Sequence, residues 1–447
     1  MNRCGGLNLA EEFMNKKMRK LEKSNGNDIE DQTNLDRISN MPTDVLNTIL
    51  VHLPLRDAAR TSVLSSKWRY KWTSISEFVL DDKCFSSSPH CDDRWEEIMK
   101  IIRHVQSNHN GSIKKFKLAA YCYPEHSQLG EWIEFVAEKG IEELSLQDFI
   151  FIKRFKLPSQ VFSCPQLSCL DLYGCIFKLP SRFEGFACLK SLQLNQVSIT
   201  SETLESLVHS CSVLEKLTLL DIDHIASLRI HNQTLKYLKI DSEFADISLE
   251  NSPLLDSVDI RMVPFHERIM ARYLEQGRAC NLLRILGGLD SVRRLILSSF
   301  FIEFLANGNI TERRTFAFNH LSYLELKEVR FCCFKEVFVT VSMLRSSPNL
   351  EELYLSVSGS YDLSKPVLDY LKSQYLFEFS FNRLKEVRIR GIYGTRTEWE
   401  FIKLILARSP VLETLVIVKF EGDRIPESLL FQTERASEDV KIVTLAL

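Results

Sequence analysis

The 447-residue sequence has no excess of either charge: 56 Lys and Arg stand against 59 Asp and Glu, a formal net charge of −3. That balance excludes an overall basic field for nucleic-acid phosphates or an anionic membrane, so neither is an expected partner. Long apolar runs are also missing. The most apolar stretch, Phe331 to Leu344, is broken by Lys335 and Glu336, too soon for a membrane span. Charges spread through Met1 to Lys23 leave no apolar core for a secretory signal. With 16 Gly and 13 Pro the composition is not collagenous, and 12 scattered Cys lack the density of a secreted disulfide scaffold. What is present is 45% hydrophobic and 26% charged residues, the composition of a soluble globular protein. The expected location is intracellular, in the nucleus and/or cytoplasm. Sequons at Asn110, Asn232 and Asn309 then carry no glycan, because a reducing compartment does not modify them.

Signatures of chemistry are equally scarce. There is no P-loop, nucleophile elbow or H-E-x-x-H sequence, and the 10 His show no spacing that would pair them. Cys84, His90 and Cys91 are ligand types in a Ser-rich stretch without a second pair at zinc spacing. Cys164, Cys169 and Cys175 share no centre, and Cys332-Cys333 falls in an apolar run. The sequence implies no catalytic residue, no metal and no cofactor.

Residues 1–34 are polar and mixed in charge, which predicts a disordered tail. Composition changes at Asp36. Pro42 is suited to the first position of a helix carrying Val45, Leu46, Ile49, Leu50 and Leu53, and Leu53-Pro54 ends it. Asp57 can cap a second helix through Val63 and Leu64, and Ser65 or Ser66 a third bearing Trp68 and Trp72. Three short helices bury too little surface to be stable alone, so a partner or the rest of the chain must cover their remaining apolar face.

From about residue 113 an L-x-x-L-x-L pattern recurs. It runs through Phe116/Leu118, Leu144/Leu146, Leu170/Leu172, Leu192/Leu194, Leu217/Leu219 and Leu238/Ile240. It continues through Val258/Ile260, Leu295/Leu297, Leu324/Leu326, Leu353/Leu355, Val387/Ile389 and Leu415/Ile417. The spacing, mostly about 20–30 residues, is that of leucine-rich repeats. Each pattern predicts a parallel strand, with helices between strands at Ser201–Ser210, Phe334–Ser346 and Glu398–Arg408; stretches 261–291 and 356–383 read as insertions. The position that usually holds Asn or Cys holds Cys175 once, and otherwise Phe149, Val197, Ile222, Phe300, Val329, Ile392 or Phe420. Apolar packing therefore replaces the usual side-chain ladder, giving an irregular solenoid.

Asp36-Arg37-Ile38-Ser39, Met41-Pro42, Val45-Leu46, Ile49-Leu50, Leu53-Pro54, Asp57-Ala58, Arg60 to Ser65 and Trp68-Arg69 resemble the F-box of plant-type F-box proteins. Leu384 to Val387, Gly391, Gly394-Thr395, Glu398 and Ile405 to Glu413 resemble the FBD domain. The chain thus resembles the F-box/FBD/leucine-rich-repeat family over nearly everything after Leu35. The fold implied is α/β: a three-helix F-box at 35–80, a solenoid of parallel strands and outer helices at 110–365, and FBD-like repeats at 366–447.

The resemblance implies a non-catalytic, substrate-recognition subunit of an SCF-type ubiquitin ligase. The F-box would dock a Skp-type adaptor and through it a cullin, while the repeats bind a target protein; a non-degradative scaffold is the alternative. The implied adaptor-facing set is Pro42, Val45, Leu46, Ile49, Leu50, Leu53 and Pro54. Ile38, Met41, Val63, Leu64 and Trp68 would be shared between that interface and the internal core.

Between the paired strand leucines, side chains should face away from the core, toward the concave surface. These are Lys117, Ser145, Asp171, Gln193, Thr218, Lys239, Asp259, Ile296, Glu325, Tyr354, Arg388 and Val416. Signs alternate, with no basic run for a bound polyphosphate. Tyr173 and Tyr354 are the aromatic candidates to anchor a target, and Arg388 with Arg390 forms the nearest thing to a basic spot.

Overall fold

The computed structural model describes residues 41–53, 55–64, 68, 71–81, 91–120, 122, 124–147, 153–223, 225, 227–244, 246–249, 251–261, 289–307, 318–359, 365–373, 379–420 and 433–446. The expected tail at 1–34, and Ile38, Pro54, Cys84, His90 and Phe149, lie outside them.

The first helix is Thr43–Val51. Pro42 is its N-cap rather than its first helical residue, with extended backbone (φ −54°, ψ 146°) and a carbonyl that accepts the Leu46 N–H at 3.1 Å. Asp44 in the first turn favours the positive end of the helix dipole. The second helix is Leu55–Arg60; Asp57 lies inside its first turn and pairs with Arg60 at 3.3 Å instead of capping it. Ser65 and Ser66, expected to head a third helix, lie outside the described residues, and Lys71–Ser74 forms only a 3-10 turn. The block expected to be helical through residue 80 ends in a strand, Glu77–Leu80. That strand opens the main sheet.

Among the described residues, fourteen strands form one parallel sheet that runs from Glu77–Leu80 to Lys441–Ala446 in chain order. Every L-x-x-L-x-L pattern read from the sequence is one of these strands. Their paired apolar residues stack in register, as in Leu192 beside Leu217 and Leu194 beside Leu219, and both rows are buried. Parallel pairing puts helices or short strands on one face, where they cover the leucines. The coverers include Cys91–Asn108, His126–Glu138, Ser201–Ser210, Ser299–Asn307, Phe334–Arg345, Lys365–Leu371 and Arg396–Arg408. Where helices are lacking, two-stranded pairs serve: Phe155–Lys156 with Cys175–Ile176, and Ser227–Arg229 with Asp246–Ser248.

Cys175, Val197, Ile222, Val329 and Ile392 are buried at the slot where a polar ladder is usual, whereas Phe420 is exposed. A backbone ladder does part of the missing work. Just before each strand one carbonyl accepts two N–H groups from the next repeat: Ser168 takes Lys190 at 2.8 Å and Ser191 at 3.1 Å, and Lys190 takes Glu215 and Lys216, both at 2.9 Å. The same bond recurs from Ser76 to Lys385, so no repeat depends on a particular side chain for its register. Asn232 shows that its sequon has a structural use: buried, it donates to the Val208 and Cys211 carbonyls at 2.8 and 2.9 Å and ties off the end of the preceding helix.

Candidate functional site

Two surfaces bring the sequence-predicted residues to solvent. The first is on the N-terminal helices. Helix Thr43–Val51 is apolar on more than one side, and the chain uses only one stripe for its own core: Leu46 and Leu50, four apart, are 2% and 0% exposed. These two were expected to face the adaptor and do not; they pack inward with Leu55, Ala58 and Trp68. Trp68, expected to be shared, is buried as well. Met41, Val45, Ile49, Leu53, Val63 and Leu64 remain exposed, between 36% and 65%. Pro42 is exposed beside them. Large apolar side chains grouped this way mark an interaction surface rather than a finished core. A cleft of about 300 Å³ beside this patch, lined by Leu50, Leu53, Leu55, Ile75, Glu77 and Val79, separates helix Thr43–Val51 from the first strand.

The second surface is the sheet face opposite the helices. Strand register places Lys117, Ser145, Asp171, Gln193 and Thr218 in one row, continued by Lys239, Asp259, Ile296, Glu325, Tyr354, Arg388 and Val416. The row predicted from the repeat is the row observed. Its first half sets hydroxyls and amides around a buried acid, with Lys117 and Lys239 at the two ends: Asp171 accepts from Ser145 at 3.1 Å and from Gln147. Burial pushes the Asp171 carboxyl up, against those hydrogen bonds.

The second half is aromatic and charged. Tyr354 donates to Glu386 at 3.1 Å, and Arg388 donates to the same carboxylate at 2.5 Å while lying 5.3 Å from the Tyr354 ring. The structure thus joins two of the four predicted target-binding residues. Arg390 is exposed two positions further along the same strand. Tyr173 is not part of the group; it sits seven strands away, half-buried and opposite Asn195.

The sequence reading missed Arg294 and Tyr323, which belong to the adjoining row. Tyr323 packs against Tyr354 with centroids 5.0 Å apart and planes inclined by 31°, and the Arg294 guanidinium lies 3.5 Å from the Tyr323 centroid. Tyr323 donates to Glu325 at 2.9 Å. The signal was available: a strand side chain two positions before a solvent-facing residue shares its face, so the row beginning at Glu77 and Lys115 needed the same scrutiny.

Among the described residues, no three His, Cys, Asp or Glu side chains converge as a metal set, and no helix is long and apolar enough to cross a membrane. Cys91 is the first residue of helix Cys91–Asn108.

A helical knob with an exposed apolar stripe, joined to a leucine-rich parallel sheet, is the architecture of F-box repeat proteins, and sequence comparison agrees. The F-box domain profile matches residues 38–80, the FBD profile residues 381–417, and a repeat profile described as "FBD-associated F-box protein At5g56370, LRR repeats" residues 129–355. The chain belongs to the F-box/FBD/LRR-repeat family. It is 36% identical to F-box/FBD/LRR-repeat protein At1g13570 of Arabidopsis thaliana, over 87% of this chain and 92% of that protein. F-box/FBD/LRR-repeat protein At1g51370 and F-box/LRR-repeat protein 13, both from the same plant, are 28% and 24% identical. They cover 85% and 92% of this chain, and 88% and 96% of their own lengths.

Proposed function

We propose that this chain is the substrate-recognition subunit of an SCF-type ubiquitin ligase, with the F-box docked on a Skp-type adaptor, and through it a cullin, and the open sheet face holding a target protein. The observation that carries the reading is the exposed set Met41, Val45, Ile49, Leu53, Val63 and Leu64 on a helical block whose other large apolar residues, among those described, are buried or half-buried. Covering each of these side chains is worth roughly 1.5–3 kcal/mol, so a handful suffices for stable docking. Pro42, exposed at the head of the helix, adds to the same surface; Pro54 and Ile38 are assigned to it on the family pattern alone. The chain's contribution is proximity, not chemistry: it holds the target where the ligase can act, and no side chain takes part in ubiquitin transfer.

The test is reconstitution of the full-length chain with a recombinant Skp-type adaptor, read by size-exclusion chromatography. A one-to-one complex is expected, and the double variant Ile49→Asp, Leu53→Asp should elute free of adaptor. Co-elution of that variant with adaptor at the wild-type level overturns the docking surface. In cells, proteins bound to the repeats should accumulate when the F-box is deleted; no accumulation would favour a non-degradative scaffold.

A further inference from the structure

The sheet face proposed to hold a target is not uniform. Its first half carries Ser145, Gln147, Gln193, Asn195 and Thr218, polar groups that can adapt to many partners, among scattered charges such as Lys115, Lys117 and Glu143. From the ninth to the twelfth strand the face changes character. There Arg294, Tyr323, Tyr354 and Arg388, one from each successive strand, form a continuous stack of guanidinium, ring, ring and guanidinium. Tyr and Arg are the side chains that dominate interface energetics, because they present large rigid surfaces at little entropic cost. Here the rigidity is enforced. Each tyrosine ring meets the other ring and one guanidinium, and its hydroxyl is tied to a carboxylate, Tyr323 to Glu325 and Tyr354 to Glu386.

Charges around the stack nearly balance in number, but they are unevenly paired. Asp259 is answered by Arg261 at 3.0 and 2.9 Å, Glu325 by Lys327 at 3.2 Å, and Glu386 by Arg388 at 2.5 Å. Of the remaining carboxylates on this part of the face, Asp241 lies in the field of Arg261 and Lys239, and Glu352 in that of Arg388. Arg294 and Arg390 are different. Both are exposed, and among the described residues neither forms an ion pair. A guanidinium lying over a ring keeps its donor edges free, and that planar fork matches a carboxylate better than any other side chain in the protein repertoire.

We propose that the Arg294–Tyr323–Tyr354–Arg388 stack, together with Arg390, is the anchor for an acidic segment of the target protein, whose Asp or Glu carboxylates pair with Arg294 and Arg390. The inference rests on the sheet face being the target surface and adds the chemistry of what it takes. Arg294 and Arg390 are three strands apart and four residues apart along the strands, roughly 20 Å, which about six extended residues span. The ligand is therefore a short extended stretch with acids at both ends and an apolar or aromatic residue over the tyrosines between them.

The experiment is selection of random dodecapeptides by phage display on the full-length chain bound to adaptor, followed by fluorescence polarisation of the synthetic winners. Enrichment of Asp and Glu over the naive library is expected, with at least a ten-fold affinity loss in Arg294→Ala and in Arg390→Ala. Arg294→Lys should recover only part of that loss, because an ammonium lacks the fork, and binding should weaken as salt rises. Adaptor binding of each variant must match wild type, which separates a lost contact from a lost fold. Winners that are basic or neutral yet lose binding in Tyr354→Ala overturn the acidic ligand while leaving the sheet face as target surface. Winners indifferent to every substitution in the stack overturn both readings. A selection that enriches nothing overturns the anchor.

Discussion

Both carboxylate oxygens of Glu336, a residue with no solvent exposure, are held by one neighbour: Oε2 accepts the Arg330 backbone N–H at 2.9 Å and Oε1 its Nε–H at 2.6 Å. Arg330 also reaches Glu303 at 2.7 Å, bridging helices Ser299–Asn307 and Phe334–Arg345. Burial pushes the Glu336 carboxyl up, and the Arg330 contacts oppose that shift. Glu398 repeats the arrangement in the FBD region, where its carboxylate accepts the Thr395 and Tyr393 N–H groups at 2.8 and 3.2 Å. In both repeats a buried acid at the start of a covering helix holds the chain that leaves the strand.

Glu336→Ala strands the Arg330 backbone N–H and takes from its guanidinium the buried one of two carboxylate partners, leaving Glu303, and should cost about 3 kcal/mol. Amide hydrogen exchange within 334–345 should quicken by about 100-fold, since that helix loses its tether. Glu336→Gln keeps an acceptor for the N–H and should cost less. Equal protection in the alanine variant and wild type would show that the pair stabilises nothing.

Ile49 and Leu50 are neighbours with opposite fates, and their substitution should separate folding from docking. Leu50→Ala opens a cavity in the N-terminal core and should cost about 3 kcal/mol of stability. Ile49→Asp should leave stability within about 0.5 kcal/mol, yet weaken adaptor binding by at least about 30-fold, the loss of one buried aliphatic anchor. Urea titration and adaptor titration on both variants read the two effects. A docking defect confined to the Leu50 variant would reverse the assignment.

His109 should make the junction between helical block and sheet sensitive to acid. It is buried, its Nε2 donates to the Ile75 carbonyl at 2.9 Å, and its ring meets Phe78 edge-on at 5.1 Å. Burial lowers its pKa from the ordinary 6.5; the Ile75 bond opposes the shift and Lys139 adds to it. The unfolded chain therefore takes up a proton at a higher pH than the folded one. The stability His109 contributes is complete above pH 6.5 and is lost as pH falls through its depressed folded value. The urea midpoint should drop between pH 7.5 and 5.5, and His109→Gln should shrink that drop. An identical drop in the variant would assign the effect elsewhere.

Two glycines should answer alanine substitution with opposite signs. Gly391 has φ +80°, sits where the strand register shifts between Arg390 and Ile392, and would bring a Cβ within 2.9 Å of the Val357 carbonyl oxygen. Gly391→Ala should cost about 2 kcal/mol. Gly130 lies in helix His126–Glu138 with nothing within 4 Å of a Cβ, and Gly130→Ala should stabilise by about 0.5–1 kcal/mol. Calorimetric melting of the two variants checks both signs.

The sheet was legible because two rows of leucine, isoleucine and valine had to be buried side by side, and that requirement fixes strand and register together. Lys441–Ala446 escaped notice because the row brings Thr444 beside Ile417, so the second apolar position is polar there. Glu77–Leu80 escaped because its strand lies within a block whose family pattern is helical. The exposed apolar set of the first helices was legible as a group of residues but not as a face. Helix Thr43–Val51 is apolar on two sides, and periodicity alone cannot say which side meets the chain's own tryptophans. The stack around Tyr354 was half visible: Tyr354 and Arg388 fell in the row under scrutiny, whereas Arg294 and Tyr323 gain their meaning only from strands about thirty residues apart in sequence lying side by side.

Because the sheet runs unbroken from Glu77 to Ala446, the chain is also a ruler. Arg294 lies on the ninth strand, eight spacings or roughly 40 Å of sheet from the strand that carries the F-box helices. Adding or removing one repeat between them would displace a captured cargo by a step of roughly 5 Å. On the proposed function, which lysines of the cargo come within range of the ubiquitin donor would be set in whole repeats, a dimension that evolution can tune by duplication without altering either end.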